Sequence, residues 1–285
     1  MTTHQTTAVL IPCLNEEQTI GKVVADFRRE LPDAVIYVYD NASDDRTSQV
    51  AADAGAIVRM APERGKGNVL RRMLRDIDAD RYVLVDGDDT YPAEDVHTLL
   101  DTLDQGWDMV VGDRLSSTYF TENKRPFHNT GNRLVRSAIN STFHAQIRDV
   151  MSGYRVFDNL FAKAYGVMSN GFEIETEMTI FALDRKLRVT EVPIQYRDRP
   201  EGSTSKLSTF SDGAKVLNLI FRLAYENRPL PFFGPLGGII GGVGLGLAQW
   251  VCIEFAQTGM VRRFPLLIGS TMLLLLGVIA VFNGL

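Results

Sequence analysis

Short apolar runs alternate with amphipathic stretches until about residue 196, where the pattern changes. Ala8-Val9-Leu10-Ile11 predicts a strand that Pro12 should break, and Asn15 is placed to cap the next helix. There Ile20, Val23, Val24, Phe27 and Leu31 recur at helical spacing. Val35 to Tyr39 predicts a second strand, ending in Asp40-Asn41-Ala42-Ser43-Asp44-Asp45. A helix through Val50 and Ala51 and a short strand at Ile57-Val58 follow. Arg64-Gly65-Lys66-Gly67-Asn68 opens another helix, with Val69, Leu70, Met73 and Ile77 on its inner side. Tyr82 to Val85 reads as a buried strand, short and β-rich, that runs into Asp86-Gly87-Asp88-Asp89. Beyond it, Val96, Leu99, Leu100 and Leu103 mark a helix, and Met109-Val110-Val111 a strand ending in Gly112-Asp113-Arg114. Residues 115–128 are polar and irregular, as in a mobile loop, and Thr130 to Phe143 has a helical pattern. Gly171 to Glu177 opens a helix whose early acids suit its dipole, the role expected of Glu177. Val189 to Tyr196 predicts a last strand, before a polar stretch from Arg197 to Lys206. Strands alternating with helices, each strand ending in polar residues, predict a parallel doubly wound α/β sheet over residues 1–210.

The remainder is apolar. Over residues 211–228, Lys215, Asn218, Arg222 and Glu226 form one polar stripe, and Val216, Leu217, Leu219, Ile220, Phe221, Leu223 and Ala224 fill the rest. So wide an apolar arc suits an amphipathic juxtamembrane helix lying in a membrane interface. Phe232 to Ile253 has no charged residue and seven glycines, and Phe264 to Leu285 is again uncharged. Each stretch is long enough for a hydrocarbon core of ~30 Å. They predict a transmembrane hairpin within residues 229–285, with helices at about 232–256 and 264–285. Gly237, Gly238, Gly241, Gly242, Gly244 and Gly246 offer a small-residue face that permits helix-mediated homo-oligomers. The second span ends without a basic anchor, which implies that the natural chain continues. An N-terminus without a signal-peptide core, followed by a hairpin, predicts an N-terminal domain on the cytoplasmic side of the cytoplasmic membrane. Arg262 and Arg263 would then face outward, against the usual charge bias.

Composition adds limits. The 285 residues carry 30 Lys and Arg against 35 Asp and Glu, a net charge of −5 that argues against a general nucleic-acid binder. The two cysteines, Cys13 and Cys252, lie in such different surroundings that a disulfide is not expected.

The chemistry centres on the end of the Tyr82–Val85 strand. Crowded carboxylates need a cation or solvent. Asp86 and Asp88, spaced i, i+2 around a glycine, can turn toward one hard metal and leave room for substrate phosphates, as Mg²⁺ prefers. A solvated acidic turn is the plain alternative. Arg64 and Lys66, with two glycines and a helix N-terminus, suit an anion. Asn15-Glu16-Glu17, Asp40 to Asp45 and Asp86 to Asp89 all follow strands, so a doubly wound sheet can bring them to one cleft.

These motifs together resemble the family 2 glycosyltransferases of GT-A fold, in the polyprenyl-phosphate, dolichyl-phosphate mannose synthase-like branch. The resemblance covers residues 7–210 and rests on Pro12-Cys13-Leu14-Asn15-Glu16-Glu17, the Asp40–Asp45 loop, Arg64-Gly65-Lys66-Gly67, Asp86-Gly87-Asp88, Asp149 to Arg155 and Gly202 to Lys206. It implies a Rossmann-like, mixed but mainly parallel sheet. It also implies metal-dependent, inverting transfer of one sugar from a UDP- or GDP-linked donor to a polyprenyl phosphate. Pro12, Asn15, Glu17, Asp40, Asn41, Lys66, Asp86 and Lys206 would bind the nucleotide sugar. Asp86 and Asp88 would hold Mg²⁺ or Mn²⁺, with Asp88 also counted as catalytic. Arg114, Arg133 and Ser137 would position the lipid phosphate. Asp149 would orient the sugar or act as a base, unless it is simply paired with Arg148 or Arg155. Where the branch often has Leu-Gln-His-Pro, this chain has Asp89-Thr90-Tyr91-Pro92, so the family's third metal contact lacks a strong counterpart. The processive Gln-x-x-Arg-Trp motif is absent, which favours single transfer. Two other readings are a transferase acting on a hydroxyl-bearing lipid or lipid-linked glycan, and a non-catalytic membrane scaffold.

Overall fold

The computed structural model describes residues 5–116, 135–137, 139–141, 143, 145–199 and 229–284. Arg133, Lys206, most of the polar 115–128 stretch and the amphipathic 211–228 stretch lie outside the described residues. The chain separates into two compact units, residues 1–220 and 221–285.

In the first unit the elements run β1 (Thr7–Cys13), α1 (Ile20–Glu30), β2 (Val35–Asp40), α2 (Thr47–Asp53), β3 (Ile57–Met60), α3 (Lys66–Asp76), β4 (Arg81–Leu84), a 3₁₀ turn and α4 (Val96–Leu103), then β5 (Met109–Asp113). After helical residues around 135–143 come β6 (Arg155–Asp158), α5 (Asn159–Ala164), α6 (Ile174–Asp184) and β7 (Val189–Pro193). The seven strands form one sheet in the order β3-β2-β1-β4-β6-β5-β7.

Strand alternation divides the core between the two faces. On β1, Val9 and Ile11 join Ile20, Val24, Phe27, Val96 and Leu99 from α1 and α4. Ala8 and Leu10 face the other way, toward Leu70, Met73, Phe161 and Met178 from α3, α5 and α6. Burial on both faces explains why the strands read as continuous apolar runs.

Several expectations are corrected. Pro12 does not break β1, which pairs with β2 through Cys13↔Asp40. Pairing with β4 ends at Leu10↔Leu84, and Leu10 O accepts from Val85 N at 3.1 Å. Pro12 faces the same side as Leu10, so its missing N–H falls where β4 has already ended. The last strand stops at Pro193 rather than Tyr196. The sheet is mixed but mainly parallel, as the family resemblance implies and unlike the all-parallel sheet read from strand–helix alternation alone: β6 is antiparallel to both β4 and β5. Its Arg155 is fully buried, donating to the carbonyls of Ser152 (2.9 Å) and Val150 (2.7 Å) and to Thr179 Oγ1 (2.9 Å). That fastens the 150–152 turn to α6.

The second unit is a pair of helices, α7 (Leu230–Thr258) and α8 (Phe264–Gly284). Both are long and apolar enough to cross a membrane. The glycines of α7 divide between two faces. A Cβ on Gly237 would lie 2.6 Å from Gly277 O, and one on Gly244 2.8 Å from Leu274 N, so these positions hold the helices together. Among the described residues, Gly238, Gly242 and Gly246 have no such neighbour. Arg263 meets Glu254 at 3.5 Å and lies over the Trp250 ring at 5.6 Å, which offsets the charge of the connecting loop.

Candidate active site

Strands β2, β1 and β4 are neighbours and parallel, so the three polar clusters that follow them gather at one edge of the sheet. The first two are laced together. Asn15 N donates to Ser43 Oγ (2.9 Å), and Asp44 N donates to Asn15 Oδ1 (2.8 Å). Glu16 N donates to Thr47 Oγ1 (2.8 Å), Glu17 N to Asp45 Oδ2 (3.2 Å), and Arg46 N to Glu17 Oε2 (3.1 Å). Asn15 therefore does not cap α1. It has φ +53°, a conformation Asn tolerates better than most residues, and it joins two loops. Asp40 accepts from Ser43 N at 2.8 Å and from the Ser48 hydroxyl.

Asn41 extends the lacing to the glycine turn. Its amide donates to Ala61 O (2.8 Å) and Glu63 O (2.7 Å), and its Oδ1 accepts from Gly65 N at 2.7 Å. The start of α3 was expected to face an anion. Instead, Gly67 N (3.0 Å) and Asn68 N (3.4 Å) donate to the carbonyl of Asn170. The two glycines are needed because the 169–170 backbone lies where a Cβ at either position would sit.

Lys66 is delivered to the end of β4 by this packing. Its ammonium is buried between Asp86 and Glu175, 2.5 Å from Glu175 Oε1. Burial opposes the charge, but the two carboxylates outweigh it and hold the ammonium well above an ordinary lysine. Asp86 also packs against Gly153, where any Cβ would collide with its carboxylate. Gly153 N in turn donates to Tyr91 Oη at 2.9 Å.

Asp88 is arranged differently. Its Oδ1 accepts from Thr90 Oγ1 (2.7 Å) and Thr90 N (3.2 Å), while Oδ2 meets Arg199 at 2.5 Å. Burial, and then the charge of Asp86, push the Asp88 carboxyl above the usual carboxylate range. Such a pair favours a further cation. Among the described residues no group of three or more His, Cys, Asp or Glu is placed to hold a metal unaided. Two carboxylates whose remaining partners must be substrate or water fit Mg²⁺ or Mn²⁺. Thr90 is turned toward Asp88 as a donor.

Asp149 pairs with neither Arg148 nor Arg155. Both its oxygens bind Arg114, at 2.7 Å to Nε and 2.8 Å to Nη2, a buried two-point pair. Glu191 supports it from β7, accepting from Asp149 N at 2.8 Å. Glu177 stands in the first turn of α6, as expected of an acid that suits the helix dipole. It is buried and accepts from Tyr165 Oη (3.0 Å), Met168 N (2.8 Å) and Ser169 N (2.6 Å), shaping the turn that receives Gly67. Ser137 is exposed on its helical segment, and Pro12 lies at the end of β1. Glu175, Arg199, Tyr91 and Gly153 were not singled out individually from the sequence. Gly153 does lie within the Asp149–Arg155 motif, and Glu175 among the acids opening α6.

Residues 8–165 match the family described as Glycosyl transferase family 2. A Haloferax volcanii protein named Glycosyltransferase AglJ is 37% identical over 256 residues, 90% of this chain and 84% of that protein. Another from the same organism, named Dolichyl-phosphate hexose transferase, is 31% identical over 78% of this chain and 95% of that protein. Glucosyl-3-phosphoglycerate synthase from Mycobacterium tuberculosis, solved with Mn²⁺, UDP-glucose and phosphoglyceric acid, superposes with a TM-score of 0.63 at 20% identity, over 78% of this chain and 80% of that one. That likeness bears on the fold, which is GT-A. With the motif residues gathered at one sheet edge and the match spanning most of the sheet, the chain belongs to glycosyl transferase family 2 and is a glycosyltransferase.

Proposed function

We propose that this glycosyltransferase moves one sugar from a UDP- or GDP-linked donor to a polyprenyl phosphate, with inversion, while anchored to a membrane by α7 and α8. The observation that carries the reading is the cation-lined carboxylate pair at the end of β4, Asp86 beside Lys66 and Asp88 beside Arg199. The name of one relative, Dolichyl-phosphate hexose transferase, supports a lipid-phosphate acceptor.

Asp86 and Asp88 would hold Mg²⁺ or Mn²⁺, which would supply charge neutralisation for the leaving nucleotide diphosphate. Pro12, Asn15, Glu17, Asp40 and Asn41 would form the nucleotide pocket on the laced side, and Lys66 and Lys206 would add positive charge near the diphosphate. The acceptor needs placement more than activation. A lipid phosphate is already ionised near neutral pH, so its oxygen attacks the anomeric carbon without a strong base. Arg114, Arg133 and Ser137 would fix that phosphate. Asp149, with both oxygens on Arg114, would serve by orienting this arginine rather than by taking a proton. An anchor confines the enzyme to the surface where the acceptor's phosphate lies, raising its effective concentration. The catalytic domain on this reading spans residues 1–210, with 211–228 as a juxtamembrane helix, in a cytoplasmic membrane with the catalytic domain facing the cytoplasm. The glycine-rich hairpin permits homo-oligomers.

The test is nucleotide release by the detergent-solubilised protein across UDP- and GDP-sugars, with Mg²⁺ or Mn²⁺, with and without undecaprenyl phosphate. Release that requires both metal and lipid phosphate is the expected result. Release only with a hydroxyl-bearing lipid would replace this reading, and absence of both release and donor binding would favour a scaffold.

A further inference from the structure

The two metal-motif carboxylates are neutralised in different ways. Lys66 is fixed: its side chain is 7% exposed, and a second carboxylate, Glu175, holds its ammonium at 2.5 Å. Arg199 reaches Asp88 from the segment that follows β7, and its side chain is 27% exposed while that of Asp88 is 5% exposed. Thr90 takes Asp88 Oδ1 through both its hydroxyl and its amide, so Oδ2, the oxygen facing Arg199, is the one left for a metal.

We infer that Arg199 is a positioning residue that stands in for the metal on Asp88 and makes metal binding depend on the nucleotide. This rests on the metal–nucleotide reading of the site given above. A buried carboxylate is costly without a cation, so Asp88 requires one before any substrate arrives. A divalent ion on Oδ2 would sit within a few ångströms of the guanidinium, and two cations that close repel strongly in a poorly solvated site. Metal alone must therefore displace Arg199 against that repulsion. Metal arriving with a diphosphate brings the anion that a displaced guanidinium can bind, and arginine suits phosphate oxygens. The metal and the nucleotide then favour each other's binding reciprocally, through one arginine. Lys66 cannot play this part, because leaving Asp86 would also strip Glu175 of its partner.

Mn²⁺ titrations of the detergent-solubilised protein, followed by loss of the free-ion electron paramagnetic resonance signal, test this without turnover. Each would be run without nucleotide, with UDP and with GDP. The wild type should bind Mn²⁺ about tenfold or more tightly once the preferred nucleotide is present. Arg199→Gln should bind Mn²⁺ alone about fivefold to tenfold more tightly than the wild type, and gain less from nucleotide. Arg199→Lys, which keeps the charge, should stay near the wild type in nucleotide-free Mn²⁺ affinity. Thermal unfolding of each variant checks that the fold is retained. Nucleotide-free Mn²⁺ affinity that is unchanged or weaker in Arg199→Gln overturns the inference while leaving the proposed function standing. Absence of Mn²⁺ binding in every protein and condition overturns the metal–nucleotide reading, and this inference with it.

Discussion

The acids that follow β1 and β2 and those that follow β4 share one sheet edge but have different partners. Asp40 and Asp45 accept from backbone amides and hydroxyls of adjoining loops, and Glu17 accepts from Arg46 N and meets the exposed Arg46 guanidinium at 3.4 Å. Asp86 and Asp88 face an ammonium and a guanidinium that are far less exposed, Lys66 at 7% and Arg199 at 27% against 80% for Arg46. The first set ties the loops after β1 and β2 together, because each of these bonds joins or closes a loop. In the second set Lys66 stays fixed between Asp86 and Glu175, and the Asp88–Arg199 contact is the one that, on the inference above, gives way to a metal ion and a diphosphate. An acid cluster in a sequence can thus be scaffold or chemistry, and the partner decides which.

Three substitutions would break or sharpen that contrast. The largest effect should come from Asp88→Ala, lowering transfer by about a hundredfold or more, as loss of a principal electrostatic stabiliser does. Its thermal midpoint should stay within a few degrees of the wild type, since Arg199 is partly exposed and can turn to water. Turnover near the wild-type value would remove Asp88 from the chemistry. Asn41→Ala should act in the opposite sense, chiefly on stability. It deletes the bonds to Ala61, Glu63 and Gly65 and should cost about 1–3 kcal/mol in denaturant unfolding. Unchanged stability would mean the lacing is incidental. The smallest effect is expected from Gly153→Ala, where the new methyl must push the Asp86 carboxylate aside. Transfer efficiency with the donor should fall by about tenfold, with a raised metal requirement, because small misplacements at a reacting centre are expensive. Wild-type efficiency would show that Asp86 has room to move.

Much of the fold was legible in the sequence because it is built from local pattern. The runs at Ala8–Ile11, Val35–Tyr39, Tyr82–Val85 and Met109–Val111 became β1, β2, β4 and β5, shifted by a residue or two at their ends. The gathering of three polar clusters followed from the doubly wound topology. Strand β6 escaped notice because it is four residues long, begins with an arginine and inserts antiparallel between two strands. The site was legible where a motif carries its chemistry in adjacent residues, as in Asp86-Gly87-Asp88. It was hidden where partners are remote. Lys66 and Glu175 are 109 positions apart, and no periodicity pairs them. Asn15 looked like a helix cap and Glu177 like a dipole acid because each stands in the right place for that local role. Hydrogen bonds to the 43–44 segment claimed Asn15 instead, while Glu177 keeps its place in the first turn of α6 and also accepts from residues 165–169.

The most direct test of the central claim is mass spectrometry of the lipid product, comparing undecaprenyl phosphate with undecaprenol as acceptors at equal concentration, using the preferred donor and metal. The account predicts one hexose added to the phosphate-bearing lipid and none to the alcohol, with both outcomes unchanged at longer reaction times. Sugar on the alcohol, or repeated addition to either lipid, would contradict it.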